Sequence, residues 1–65
     1  MNIEIISDFG EGYDVGQVVP SNELIDSFCE CTDDESLIDF IRNSKEEKAI
    51  AFISDAWGIE YKILE

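Results

Sequence analysis

Carboxylates dominate the residues of this chain that could do chemistry: sixteen Asp and Glu stand against four Lys and Arg, two Cys and no His. Paired carboxylates can act as general acid and base in glycoside cleavage. Abundance of a residue type is not a constellation, however, and 65 residues leave little room for a substrate cleft of roughly several hundred Å³. The lack of histidine removes the commonest general base and metal ligand. A cysteine nucleophile needs a cationic neighbour, whereas Cys29 and Cys31 have Asp26, Glu30, Asp33 and Asp34 around them. Their spacing is poor for a disulfide and they lack the further soft ligands of a zinc site. Both are therefore expected as small apolar residues on the core face of a helix.

Other signals fail on their own chemistry. Asp33-Asp34-Glu35 lacks the alternating oxygen ligands and central glycine of a calcium loop. Gly10, Gly12 and Gly16 miss a dinucleotide loop, because Val15 stands where the third glycine belongs and Asp8, Glu11 and Asp14 would repel a pyrophosphate. No catalytic residue, metal site or cofactor is expected, and the chain is not read as an enzyme.

Charge is the outlying property. Residues 1–41 hold eleven acids and no Lys or Arg; residues 42–65 hold all four bases (Arg42, Lys45, Lys48, Lys62) beside five acids. The first part thus carries −11 and the second −1, which sum to the net −12. Direct contact with nucleic acid or anionic membrane is excluded by this balance, since both need cationic patches. The first residues show neither the basic region nor the apolar length of a signal peptide. No stretch reaches the roughly 20 apolar residues of a membrane span. A cytoplasmic location is expected.

The elements that must carry these groups can be read from periodicity. Ile3, Ile5 and Ile6 around Glu4 predict a short strand with one buried face. Residues 8–14 read as a glycine-bearing loop, 15–19 as a returning strand, and Pro20 as its end. Ser21 suits the N-cap of a helix over about 22–31. Leu24, Ile25, Phe28, Cys29 and Cys31 lie on its inner face, and Glu23, Asp26 and Glu30 on its outer one. Residues 27–31 are also compatible with a strand. Thr32-Asp33-Asp34-Glu35 has the form of a capping box, opening a second helix with Leu37, Ile38, Phe40 and Ile41 inward and an end near Asn43. Ser44-Lys45-Glu46-Glu47 repeats that form.

A third helix places Ala49, Ile50, Phe52, Ile53, Ala56 and Trp57 on one arc, with Glu47, Ser54 and Asp55 opposite. Gly58 then closes it in the left-handed region; a hairpin turning at 55–58 is the alternative. Residues 59–64 alternate as a terminal strand. The sum is a single α+β domain over residues 1–65: a small two- or three-stranded sheet with two to three helices packed on one face.

A net charge of magnitude 2–8 suffices to keep a small domain soluble, so −12 concentrated at one end calls for another explanation. The sharpest is imitation of a phosphate array. Glu23, Asp26 and Glu30 would form a row about 10 Å long on one helix face, extended by Asp33, Asp34, Glu35 and Asp39 and by the loop acids Asp8, Glu11 and Asp14. Phe9 and Tyr13 in that loop would either anchor a partner or pack over the sheet edge.

The expected partner is the basic groove of a nucleic-acid-binding protein, which the chain would inhibit. In size and charge it resembles the small acidic proteins of phages and mobile elements that inhibit restriction, CRISPR, repair or transcription machinery, and it carries no family motif. The alternative is a protein–protein interaction module, an adaptor or antitoxin-like neutraliser, without such mimicry. A homodimer is compatible with so small a core.

Overall fold

β-Branched residues at alternate positions make Asn2–Asp8 a strand, β1, whose Ile3 and Ile5 have no exposed surface. A computed structural model of the chain describes residues 1–8 and 12–64. β1 is the central strand of a three-stranded antiparallel sheet, flanked by β2 (Val18–Pro20) and β3 (Ile59–Leu64). Ile3 faces Val19 on one side and Ile63 on the other, and Ile5 faces Tyr61, so one sheet face is apolar. Three helices, α1 (Ser21–Cys31), α2 (Glu35–Asn43) and α3 (Glu46–Trp57), intervene between β2 and β3. Leu24, Phe28, Ile41, Ala49, Ile50 and Ile53 join the sheet isoleucines in one core. The other sheet face, with Val18 and Lys62, is exposed. The fold is a small α+β domain.

The second strand is shorter than expected. Residues 15 and 16 form a turn, Gly16 takes φ +87°, and Val15 is 73% exposed. Gly16 and Gln17 still bond to Ile5, at 2.6 and 2.9 Å, so the hairpin is present but its arm is mostly turn. A register shift between Ile5 and Ser7 leaves Ile6 as an extra residue in β1.

Helix boundaries correct three expectations about caps. Pro20, not Ser21, occupies the N-cap of α1; Ser21 N–H donates to Met1 O at 2.8 Å, which draws Ser21 into the first turn and buries its hydroxyl without a partner. Thr32 ends α1 instead of opening α2, and its Oγ1 accepts from Asp34 N–H at 3.3 Å. The cap of α2 is Asp34, whose Oδ1 accepts from Leu37 N–H at 3.1 Å. Ser44 likewise closes α2, its hydroxyl donating to Phe40 O at 2.6 Å, and Lys45 opens α3 with no side-chain cap. With two residues between α2 and α3, one hydroxyl serves one helix end, and here it serves the carbonyl end.

Residues 49–57 are helical, and Gly58 closes α3 at φ +70° with its N–H on Ser54 O, as the periodicity predicts. Five positions depart from the wheel, among them Ala56, expected on the inner arc and exposed. Cys31 is exposed because it is the last residue of α1, where the inner face has run past the core. Phe40 and Phe52 are 42% and 38% exposed and pack on each other at the domain edge. Ser54, expected outside, is buried and its hydroxyl has no partner.

Ser54→Ala removes that unpaired hydroxyl and adds helix propensity, so it should raise stability by about 0.5–2 kcal/mol in urea unfolding. Ile53→Ala, at a fully buried position, should cost about 2–5 kcal/mol. That is comparable to the roughly 3–5 kcal/mol available to a core of this size. A loss of stability in Ser54→Ala would show that the hydroxyl is satisfied.

Candidate docking surface

The expected carboxylate row lies on α1, where residues three and four apart share a face. Glu23, Asp26 and Glu30 are all exposed. Asp33 and Asp34 follow in the α1–α2 connection, and Glu35 and Asp39 continue on α2; all four are exposed. Asp34 is tied locally by its cap on Leu37, in the first turn where the helix dipole favours a negative charge. Asp14 is exposed, and its backbone N–H donates to the Gln17 side chain at 3.0 Å.

Near the end of β1, half-buried Asp8 accepts from Tyr13 N–H at 2.6 Å. This pins the far end of the loop beside the strand. Phe9 and Glu11 lie outside the described residues. Tyr13 is half-buried against the core, so it packs and is not a freely projecting anchor. Burial pushes its phenol above the usual tyrosine range; a hydrogen bond with Ser27 opposes the rise, and the Glu23 and Asp8 carboxylates reinforce it. Tyr13 thus joins the loop to the Glu23 side of α1.

One residue that sequence reasoning missed decides the electrostatics of this surface. Arg42, in the last turn of α2, donates to Asp26 Oδ1 at 2.7 Å, and both side chains are about half exposed. The guanidinium is held above its usual value first by that hydrogen bond and also by the field of Glu30. A signal for the pair existed: α1 and α2 are joined by a short connection, and Asp26 and Arg42 each lie eight positions from Asp34 (34 − 26 and 42 − 34). Antiparallel neighbours folded about such a connection meet at equal distances from it.

Among the described residues this is the single side-chain ion pair; the other pairing, at 3.6 Å, joins the N-terminal ammonium to Glu46. Exposed pairs of this kind contribute little to stability, but Arg42 interrupts the negative field between the α1 row and α2. Within the row, Glu23 together with Asp8 acts on the Tyr13 phenol, while Asp26 and Glu30 act on the Arg42 guanidinium.

A shallow cleft of about 270 Å³ lies at this seam, lined by Ile25, Asp26, Ile41, Arg42 and Glu46 among others. Its carboxylates Asp26 and Glu46 are both engaged in ion pairs. No group of three or more Cys, Asp or Glu among the described residues is arranged to hold a metal. No described helix is long and apolar enough to cross a membrane. Comparison with known protein families, with characterised proteins and with solved structures finds no match.

The half-buried phenol gives a pH dependence whose sign follows from linkage. A folded-state pKa above the unfolded value of 10.0 means that the unfolded chain loses its proton first as pH rises. The contribution is then fully present below pH 10 and is lost above it. Stability should fall as pH climbs past 10, and Tyr13→Phe should flatten that fall. Phenolate absorbance of the two proteins, compared by difference, checks it; a Tyr13 that ionises below 10 would reverse the sign.

Proposed function

We propose that the chain docks through its acidic helical surface into the basic groove of a nucleic-acid-binding protein, in place of the polyanion, and thereby inhibits it. The observation that supports this reading is exposure without compensation. Eight acids of the first forty-one residues (Asp14, Glu23, Asp26, Glu30, Asp33, Asp34, Glu35 and Asp39) are exposed, and one of them, Asp26, is in an ion pair.

The carboxylates of the α1 row rise along the axis by about 4.5 and 6 Å between successive members, a spacing of the order of that between phosphates along a strand. A Lys- and Arg-lined groove would gain from them by the counterion release that drives nucleic-acid binding, and opposite potentials would speed encounter. The reading is one of binding in the cytoplasm and not of catalysis: the chain has no histidine, and the cleft carboxylates are occupied by cations.

A second reading is favoured by one specific feature. Phe40 and Phe52 present adjacent rings at the surface, 5.5 Å apart, with Lys48 Nζ 5.8 Å from the Phe40 centroid. Such a pair suits an interaction module that holds its partner by apolar contact.

The two readings differ in salt dependence. A mimic's complex with its captured partner should weaken by about 10³-fold or more between about 50 and 200 mM salt if several cations are engaged. Duplex DNA or RNA should displace it. The variant Glu23→Lys/Asp26→Asn/Glu30→Gln, which gives Arg42 no new cationic neighbour, should keep its circular dichroism spectrum and lose the partner. Arg42→Ala should speed association by removing the interrupting cation. A partner retained at high salt, undisturbed by polyanions and lost on Phe40→Ala, would transfer the assignment to the apolar module.

A further inference from the structure

We propose that the outer edge of β3 is a self-association surface, on which a second copy of the chain adds its own β3 antiparallel about a two-fold axis through Tyr61. β3 pairs with β1 on one side and with no described strand on the other, so a six-residue strand ends the sheet. Exposed strand edges of this length are templates for pairing, and proteins usually blunt them with bulges, prolines or several charges. The opposite edge, β2, is three residues long and ends in Pro20. β3 has no proline, and the register shift in the sheet falls in β1.

The direction of the free backbone groups follows from the ladder. Ile5 N–H and C=O both bond to the β2 side, with Gln17 and Gly16. By strict alternation along β1, Asn2 and Glu4 face β3, where they oppose Leu64 and Lys62. Lys62 and Leu64 therefore spend their backbone groups on β1. Ile59, Tyr61 and Ile63 direct theirs outward, away from the sheet.

Pairing must match like faces, so the axis must pass through a residue of β3. An axis through Glu60 sets Glu60 against its own copy, and one through Lys62 sets Lys62 against its copy. Both place like charges directly opposite, which is unfavourable. An axis through Tyr61 sets Glu60 against Lys62 of the second copy, twice. It also sets Tyr61 against Tyr61 and Ile59 against Ile63, and these are the residues whose N–H and C=O point outward.

Each of those backbone pairs exchanges two hydrogen bonds, and Glu60 and Lys62 fall at the non-hydrogen-bonded sites, where Cα atoms are about 4.5 Å apart and side chains are closest. Glu60 and Lys62 are both exposed, and neither is in an ion pair among the described residues. Half-buried Tyr61 and Ile63 extend the apolar face across the junction.

Long-range charge favours the same edge. β3 belongs to residues 42–65, which carry −1, whereas the −11 of residues 1–41 opposes approach elsewhere. The inference is independent of the docking role, because Glu60 and Lys62 lie outside the acidic surface described above.

Sedimentation equilibrium of the full chain up to about 1 mM should show a monomer–dimer equilibrium of modest affinity, as befits a small interface. Glu60→Lys, which sets like charges opposite at both sites, should weaken it about tenfold. The charge swap Glu60→Lys/Lys62→Glu should restore it. Amide exchange should slow with concentration at Tyr61 and Ile63 and stay unchanged at Glu60 and Lys62. A chain that remains monomeric overturns the proposal, and so does a dimer that Glu60→Lys leaves intact or that the swap fails to recover.

Discussion

Ile3 and Ile5, fully buried on the central strand, are the contact on which the other elements depend. Among the described strands, β2 and β3 each pair with β1 alone, and the sheet residues that meet Ile3 and Ile5 across the ladder are the apolar Val19, Ile63 and Tyr61. Leu24 and Phe28 from α1 and Ile50 and Ile53 from α3 complete the same cluster. With so few fully buried side chains, each represents a large share of the stability of a 65-residue fold. The extra residue Ile6 comes after this contact and not within it, so the sheet keeps its register over the core while the end of β1 is re-aimed toward Tyr13.

Periodicity alone carried most of the architecture. All three helices and the terminal strand stand where the spacing of apolar residues puts them, because each element buries one stripe against one core. Gly58 was legible for a different reason: a left-handed residue after an apolar helical run has few other uses. Caps were illegible because Ser and Thr hydroxyls bond equally well to the end of one helix and the start of the next. Ser44 bonds back to the helix before it, whereas Thr32 ends α1 by its backbone and its hydroxyl accepts from Asp34 N–H in the connection. Edge residues were misplaced on the same principle. A helical wheel assigns direction, but it does not know where the neighbouring element stops, so Cys31, Phe40 and Phe52 point the right way and emerge into solvent. Of the candidate site, the exposure of the α1 row was readable from the wheel; the Asp26–Arg42 pair required the tertiary fold.

A fold with net charge −12 must limit self-repulsion, and the placement of the acids shows how. Asp34 and Glu35 lie at the start of α2, and Glu46 and Glu47 at the start of α3, where unpaired backbone N–H groups favour anions. Asp14, Glu23, Asp26, Glu30, Asp33, Asp39, Asp55 and Glu60 stand on exposed positions, where water and salt screen them: two unit charges about 7 Å apart repel by only about 0.6 kcal/mol in bulk water before screening. Arg42 then crosses the α1–α2 seam, where two negative surfaces would otherwise meet. The charges are accommodated without being cancelled, which leaves most of their field available outside the molecule.

These constraints converge on α2. It contributes one fully buried residue, Ile41, whereas α1 and α3 contribute four buried residues each. It carries Glu35 and Asp39 on its outer side and Phe40 at its edge, so both candidate modes of recognition, by charge and by aromatic contact, share this helix. Leu37 and Ile38 pack half-buried against the core, and its other ties are peripheral: the Asp26 ion pair and the ring contact with Phe52. Elements held by few buried contacts are the first to shift locally. A partner engaging α2 therefore meets the part of the domain whose position costs least to adjust, while the β1 core that fixes α1 and α3 stays in place. On that argument the acidic row of α1 is the rigid half of the surface and α2 the adaptable half, and Arg42 is the hinge charge between them.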